Sequence, residues 1–215
     1  MAVSPDQRLL VTGGADRAAI LWALEEGTPQ VALEGHLASI QAVAFSPAGA
    51  TILTASLDCS VRYWSSRTGL CVMVVHAHER GVYSGTFSSD GTLVLTSSSD
   101  GSLRLWKAGV EKPRSIPNAH SGCVYSASFS PNGKLAVTSG WDRSAKLWDL
   151  PSGRCQQVLR HSGPVYSAAF SADGSTVVTG GKDGRAKIWS VHSGELQLTL
   201  EAHAAPVLRV LFSHA

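Results

Sequence analysis

The sequence predicts an all-β fold made of four-stranded antiparallel units, with five repeat equivalents in 215 residues. Short apolar, β-rich runs are separated by Asp-Gly and Asn-Gly pairs, whose glycine supplies the positive φ that tight hairpins need. No stretch has helical periodicity of useful length. The third observation is a repeat, since tryptophans recur every 41 or 42 residues, at Trp22, Trp64, Trp106, Trp148 and Trp189.

Other residue types keep the same step as the tryptophans. An aspartate lies six residues before each of these tryptophans, and a threonine lies four residues before each aspartate. Histidines follow the same interval at positions 36, 78, 120, 161 and 203. We therefore predict a single domain over 1–215, with complete repeats at 36–77, 78–119, 120–160 and 161–202 and partial repeats at 1–35 and 203–215.

Each repeat contains four strand-like runs, as the repeat that starts at His78 shows. An alternating run, a turn, a second β-rich run, another turn and a third run follow in that order, and the fourth run is clearest in other repeats. The runs are Val82–Phe87, Leu93–Thr96, Leu103–Trp106 and, from other repeats, Cys71–Val75 and Gln156–Leu159, with turns at 88–91 and 99–101.

Composition and charge exclude several classes of protein. The net charge of +2 gives no field that would favour nucleic acid or an acidic membrane. The four cysteines form no Cys-x-x-Cys pair, and no P-loop, dinucleotide-binding fingerprint or His-Glu-x-x-His sequence is present. The apolar run at 70–75 is far too short to span a bilayer, and no secretory signal is visible. We expect an intracellular protein, cytoplasmic or nuclear, with no cofactor, metal or small-molecule substrate.

These motifs resemble the repeats of the WD-repeat family of β-propellers. The shared features, present in most repeats, are a histidine after Ala or Gly, a Phe-Ser-x-x-Gly turn, the Thr-x-x-x-Asp step and a strand that ends in Leu-Trp or Ile-Trp. The resemblance covers essentially the whole chain and implies a β-propeller of four-stranded blades. Five blades are few for this family, so two possibilities stay open. Either the two terminal fragments join as one blade, or the chain is a piece of a longer propeller, which we slightly favour.

A hydroxyl, a histidine and an aspartate recur together, and these are the groups of a nucleophilic triad. Catalysis is not predicted, because the set occurs in every complete repeat and its hydroxyl lies on a strand without a Gly-x-Ser-x-Gly elbow. The resemblance implies instead a structural tetrad in each blade, in which aspartate accepts from histidine and threonine accepts from the tryptophan N–H. The four tetrads are His36, Thr54, Asp58 and Trp64; His78, Thr96, Asp100 and Trp106; His120, Thr138, Asp142 and Trp148; and His161, Thr179, Asp183 and Trp189.

Three positions of each repeat are candidates for partner binding. In the family, the residues three and five positions after the repeat histidine and the residue before the tetrad aspartate tend to lie on a face that contacts partners. Here they include three of the four tyrosines and one tryptophan outside the repeat pattern, and such side chains often anchor interfaces. The tyrosines could instead pack between blades. The predicted partner-binding residues are Gln41, Leu57, Tyr83, Tyr125, Trp141, Tyr166 and Lys182.

A basic residue also lies two positions before the tryptophan in four repeats. With one such residue per repeat, a solvated strand face is a better interpretation than a track for nucleic acid. These residues are Arg62, Arg104, Lys146 and Lys187.

The predicted function is a non-catalytic protein-interaction scaffold that presents a propeller face to protein or peptide partners in a multiprotein complex. The alternative is a sensor or regulatory domain of a larger signalling or assembly protein, seen here as a truncated chain. An enzyme would need one non-repeated cluster of acids or nucleophiles, and the sequence shows none.

Overall fold

Every regular element in the described part of the chain is a β-strand. The computed structural model describes residues 1–108, 112–201 and 203–213. Within these ranges, twenty strands form five four-stranded antiparallel sheets in which consecutive strands are neighbours. The predicted all-β fold of four-stranded blades is therefore confirmed. The described residues include no helix that could cross a membrane.

The chain divides into two compact units, of which the first comprises 1–100 and 104–115 and the second 101–103 and 116–215. The first unit contains sheets 1 and 2 and most of sheet 3. Sheet 1 has β1 (Ala2–Val3), β2 (Leu9–Gly13), β3 (Ala19–Ala23) and β4 (Thr28–Leu33). Sheet 2 has β5 (Ile40–Phe45), β6 (Thr51–Ser56), β7 (Ser60–Ser65) and β8 (Cys71–His76). Sheet 3 has β9 (Val82–Phe87), β10 (Leu93–Ser98), β11 (Leu103–Lys107) and β12 (Arg114–Ile116).

The second unit contains sheets 4 and 5. Sheet 4 has β13 (Val124–Phe129), β14 (Leu135–Gly140), β15 (Ser144–Asp149) and β16 (Arg154–Arg160). Sheet 5 has β17 (Val165–Phe170), β18 (Thr176–Gly181), β19 (Arg185–Ser190) and β20 (Leu196–Glu201). The repeat boundaries and the single domain predicted over 1–215 stay predictions.

Side chains close the hairpin turns between the first two strands of a sheet, as sheet 4 shows. Asn132 Oδ1 accepts hydrogen bonds from Ser130 Oγ at 2.8 Å and from the Lys134 N–H at 3.0 Å. Gly133 stands between them with φ of 68°, in the left-handed region that glycine enters without strain. The turn sets the register of β13 on β14, in which Phe129 faces Ala136.

Strand alternation places one equivalent apolar residue of successive repeats in the core. The residue four positions after a repeat histidine is buried in sheets 2 to 5, at Ile40, Val82, Val124 and Val165. In the second unit, Leu159 of β16 and Trp189 of β19 belong to one apolar cluster, so sheets 4 and 5 pack face to face.

Sheet 5 differs from sheet 4 in the burial of its last strand. Leu159 pairs with Ala145 and is fully buried, whereas Leu200, which pairs with Ala186 in the same register, is 47% exposed. Leu198, which pairs with Ile188, is also exposed, and alternate residues of a strand share a face. Leu198 and Leu200 therefore form an apolar row on β20.

The end of the chain contacts sheet 5 without forming a strand in its described residues, 203–213. The Val207 N–H donates to the Gly181 carbonyl oxygen at 2.9 Å, and the Val210 N–H donates to Ser167 Oγ at 3.2 Å. Residues 214 and 215 of the predicted partial repeat lie outside the described residues.

Candidate functional site

The structure brings together the four members of each predicted tetrad, with two tetrads in each unit. In sheet 4, His120 Nδ1 lies 2.8 Å from Asp142 Oδ1, and His120 Nε2 lies 2.7 Å from Thr138 Oγ1. Trp148 Nε1 donates to the same threonine hydroxyl at 2.8 Å. The tetrads of His36, His78 and His161 have the same three contacts, at 2.7 to 3.2 Å.

One arrangement of protons satisfies every bond of the sheet 4 tetrad. An indole N–H only donates, so Thr138 Oγ1 accepts from Trp148. The threonine hydroxyl then donates to Nε2 of a neutral His120, and the Nδ1–H donates to the Asp142 carboxylate. A second proton on the imidazole would leave the hydroxyl without Nε2 as its acceptor. The tetrad therefore accommodates the neutral imidazole.

Burial favours the same protonation state. Loss of hydration lowers the pKa of His36, His78 and His161, to about 4 for His78, although an aspartate beside each acts in the opposite direction. Partial burial acts to raise the pKa of Asp58, but hydrogen bonds from Ser60 and from the Leu37 N–H lower it to about 2. A neutral histidine facing an ionised aspartate is the resulting state.

The tetrads are poorly suited to nucleophilic catalysis. Thr138 is fully buried, and its hydroxyl is already engaged by Trp148 and His120, so a substrate could not reach it. Satisfied buried networks of this kind rigidify a fold, and that structural role for the tetrads stays a prediction. Among the described residues, no group of three or more His, Cys, Asp and Glu side chains is placed to hold a metal ion.

The interpretation of the four basic strand residues as solvated is wrong. All four are half-buried, and three of them donate to the carbonyl oxygen of the residue before a repeat histidine. Arg104 reaches Ala77 at 2.8 Å, Lys146 reaches Ala119 at 2.6 Å and Lys187 reaches Arg160 at 3.1 Å. The guanidinium of Arg62 lies against Gly35, the equivalent residue. Sequence alone gave a repeated basic position but no indication of this acceptor.

The predicted partner-binding residues form two sets, one in each unit. Gln41, Leu57 and Tyr83 lie in the first unit, where Gln41 and Leu57 are exposed and Tyr83 is half-buried. Leu57 also packs against Gly81, since an added Cβ there would lie 2.8 Å from Leu57 Cδ2.

In the second unit, the two tyrosines contact each other. The rings of Tyr125 and Tyr166 meet edge to face, with centroids 5.2 Å apart, and both side chains are half-buried. This contact fits the alternative that tyrosines at this repeat position help neighbouring sheets pack.

Trp141 and Lys182 line a common cleft of about 500 Å³, which we call the Trp141 cleft. The indole of Trp141 packs on Gly122, where an added Cβ would lie 3.2 Å from its Cδ1, and its side chain is 54% exposed. The cleft opens between the loops that precede β15, β17 and β19. Its lining consists of Trp141, Arg143, Ser162, Gly163, Pro164, Lys182 and Asp183.

Sequence reasoning missed Arg143, Ser162 and Gly163 as lining residues, whereas Pro164 stands three positions after His161, at one of the repeat positions predicted to face partners. Arg143 follows a tetrad aspartate, and Ser162–Pro164 follow a tetrad histidine, so both stand beside residues that the repeat had marked. This position next to a tetrad residue is the signal in the sequence that could have identified them. Only the packing of two successive sheets shows that the two loops face one cleft.

Comparison with known proteins gives results that agree with this architecture. Five stretches of the chain match the family described as WD domain, G-beta repeat, at 1–23, 27–65, 69–107, 111–149 and 153–190. A Schizosaccharomyces pombe protein described as uncharacterized WD repeat-containing protein C227.12 is 48% identical over 44 residues, which are 20% of this chain. The matched stretch spans 10% of that relative's length.

Proposed function

The chain belongs to the WD-repeat family, and we propose that within this family it is a non-catalytic protein-interaction scaffold whose partners bind at the Trp141 cleft. Repeats of this kind form domains for protein–protein interaction. A rigid sheet scaffold that presents loops is suited to binding, and the site on the scaffold decides what is bound. The sensor or regulatory role in a larger multidomain protein stays an alternative prediction.

The exposure of Trp141 is the observation that carries this proposal. The tryptophans of the four tetrads are buried and donate their N–H to a threonine. Trp141 stands outside the tetrads and exposes 54% of its surface at a cleft. A large aromatic ring left half in water beside a concave surface is a typical anchor of a protein interface.

A pair of photo-crosslinking probes tests the proposed surface. Benzoylphenylalanine replaces Trp141 in one variant and Val158 in the other, where Val158 is 44% exposed on β16 and does not line the cleft. We expect irradiation in extracts of the natural host cells to give discrete protein adducts from position 141 and none of those adducts from position 158. The same adducts from both positions, or none from position 141, would show that partners do not bind at the cleft.

Gln41, Leu57, Tyr83, Tyr125 and Tyr166 are proposed as further partner contacts. Probes at Gln41 and Leu57, the two exposed members, extend the same experiment to the first unit. Discrete adducts from positions 41 and 57 support partner contacts on the first unit.

A further inference from the structure

We propose that the Trp141 cleft binds an acidic peptide segment, with a carboxylate between Arg143 and Lys182 and an adjacent apolar side chain on the Trp141 ring. This inference rests on the proposed function and adds the chemistry of the bound segment. It depends on three features of the cleft: two unpaired cations, carboxylates that already accept hydrogen bonds from their own sheets, and the exposed ring of Trp141.

The two cations of the cleft are available to a ligand. Arg143 and Lys182 are exposed, and among the described residues neither forms an ion pair. Arg185, three residues after Lys182, is already paired, since its Nε lies 3.0 Å from Glu201 Oε1. The cleft offers an anion one guanidinium, which can bind a carboxylate through two parallel hydrogen bonds, and one ammonium group, which acts as a point charge.

The carboxylates near the cleft are turned inward. Asp183 exposes only 6% of its side chain, and its Oδ2 accepts from His161, from the Ser162 N–H and from the Ser162 hydroxyl at 2.9 to 3.2 Å. Asp142 is bonded to His120 and lies 3.3 Å from Lys146. Both carboxylates are held by donors of their own sheets, so neither competes with a ligand for Arg143 or Lys182.

The backbone conformation at Arg143 favours glycine over arginine. Arg143 has φ of 63°, and the equivalent residues of two other repeats are Gly101 at 83° and Gly184 at 73°. A side chain in the left-handed region costs about 1 kcal/mol relative to glycine. Arg143→Gly therefore removes the charge at a position where glycine fits the backbone without strain.

The Trp141 ring determines which side chain of the ligand fits beside its carboxylate. The Trp141 ring is fixed from behind by Gly122 and faces the cleft that Pro164 also lines. A flat indole and a proline ring favour an aliphatic or aromatic side chain. An acidic segment that includes an apolar residue matches both the charge and this surface.

Ion quenching of tryptophan fluorescence tests the local charge. Trp141 is exposed, the four tetrad tryptophans are buried and Trp22 is half-buried, so the loss of quenching in Trp141→Phe isolates the signal of Trp141. Iodide quenches free indole more efficiently than caesium does, so each quenching constant of Trp141 is divided by that of N-acetyltryptophanamide. At low salt we expect this ratio to be at least about twofold higher for iodide than for caesium, because cations raise the local anion concentration. The variant Arg143→Gly with Lys182→Ser, which copies residues of other repeats, should abolish that preference. Equal ratios for the two ions would overturn the proposal.

Peptide binding then tests the ligand class directly. The probes are three fluorescent peptides that alternate leucine with glutamate, glutamine or lysine, and a single-stranded oligothymidine. We expect the glutamate peptide to bind the full chain at least about tenfold more tightly than the glutamine peptide, and the double variant and Trp141→Ser to lose this binding. Tighter binding of the glutamine or lysine peptide or of the oligothymidine, or no binding of the glutamate peptide, would overturn the acidic ligand. Crosslinks from position 141 would then still support a protein partner of different chemistry.

Discussion

The ammonium group of Lys146 donates a hydrogen bond to the backbone carbonyl oxygen of Ala119 at 2.6 Å. Ala119 is fully buried and immediately precedes His120, so this contact ties the middle strand β15 to the segment that carries the tetrad histidine. Lys146 also lies 3.3 Å from Asp142. Lys146 is therefore a fifth polar member of this tetrad. It binds the backbone carbonyl oxygen next to the tetrad histidine, and it also lies beside the tetrad aspartate.

Loss of the Lys146 amine should destabilise the fold by about 1–2 kcal/mol, because a buried carbonyl loses its hydrogen-bond partner. The change is Lys146→Met, which keeps the length of the side chain, and the measurement is urea unfolding. Lys146→Arg should restore most of the stability, since the equivalent Arg104 makes the same contact with Ala77 at 2.8 Å. The control is Lys134→Met at an exposed lysine, which should change little. Equal stability of Lys146→Met and Lys134→Met would contradict the fifth-member role.

Removal of the tetrad aspartate should cost more than removal of its counterpart in sheet 1. Asp142→Ala leaves the buried His120 Nδ1 without its partner at 2.8 Å, and we expect a loss of about 3 kcal/mol. Asp16 occupies the same repeat position but is exposed, with a single weak bond to the Ala18 N–H at 3.4 Å. Asp16→Ala should change the free energy of unfolding by less than about 0.5 kcal/mol. Thermal melting of the two variants gives the comparison, and an unchanged melting temperature for Asp142→Ala would refute its structural role.

The repeat spacing predicted the fold and the tetrad contacts because both depend on local periodicity. Residues that recur every 41 or 42 positions must occupy equivalent places in equivalent sheets, and strand alternation then separates buried Val124 from half-buried Tyr125. The cleft could not be predicted in the same way. It forms where the loop that holds Arg143 meets the loop that holds Pro164, and the distance between loops of two sheets depends on their packing. The acceptor of Lys146 was missed for a similar reason, since a backbone carbonyl leaves no signature in the sequence.

Mild acid should destabilise the protein through three of its tetrad histidines, His36, His78 and His161. Because the pKa of His78 is about 4 in the folded state and near 6.5 when the chain is unfolded, the unfolded state binds more protons between these values. The contribution is fully present above about pH 6.5 and is lost as the pH falls toward 4, by roughly 3 kcal/mol for His78 alone. His36 and His161, whose pKa values are also lowered, act in the same direction.

Urea unfolding at several pH values between about 4.5 and 7.5 measures this dependence. His78→Gln removes one titrating group, so its free energy of unfolding should be lower than that of the wild type at neutral pH but should fall less steeply in acid. A slope equal to that of the wild type would show that His78 does not titrate as its burial requires.

Leu159 of β16 and Leu200 of β20 occupy the same register, but only Leu159 is buried. We therefore expect a charged residue to be tolerated at position 200 and not at position 159. Leu159→Glu places a charge in the fully buried cluster of sheets 4 and 5, and we expect it to lower the free energy of unfolding by more than about 3 kcal/mol or to prevent folding. Leu200→Glu, on a side chain that is 47% exposed, should change it by less than about 0.5 kcal/mol. Urea unfolding compares the two, with Leu159→Met as a variant that keeps volume and remains folded. If Leu200→Glu proved as damaging as Leu159→Glu, the face of β20 would be covered in solution, and the change in sedimentation coefficient on mutation would show whether a second copy covers it.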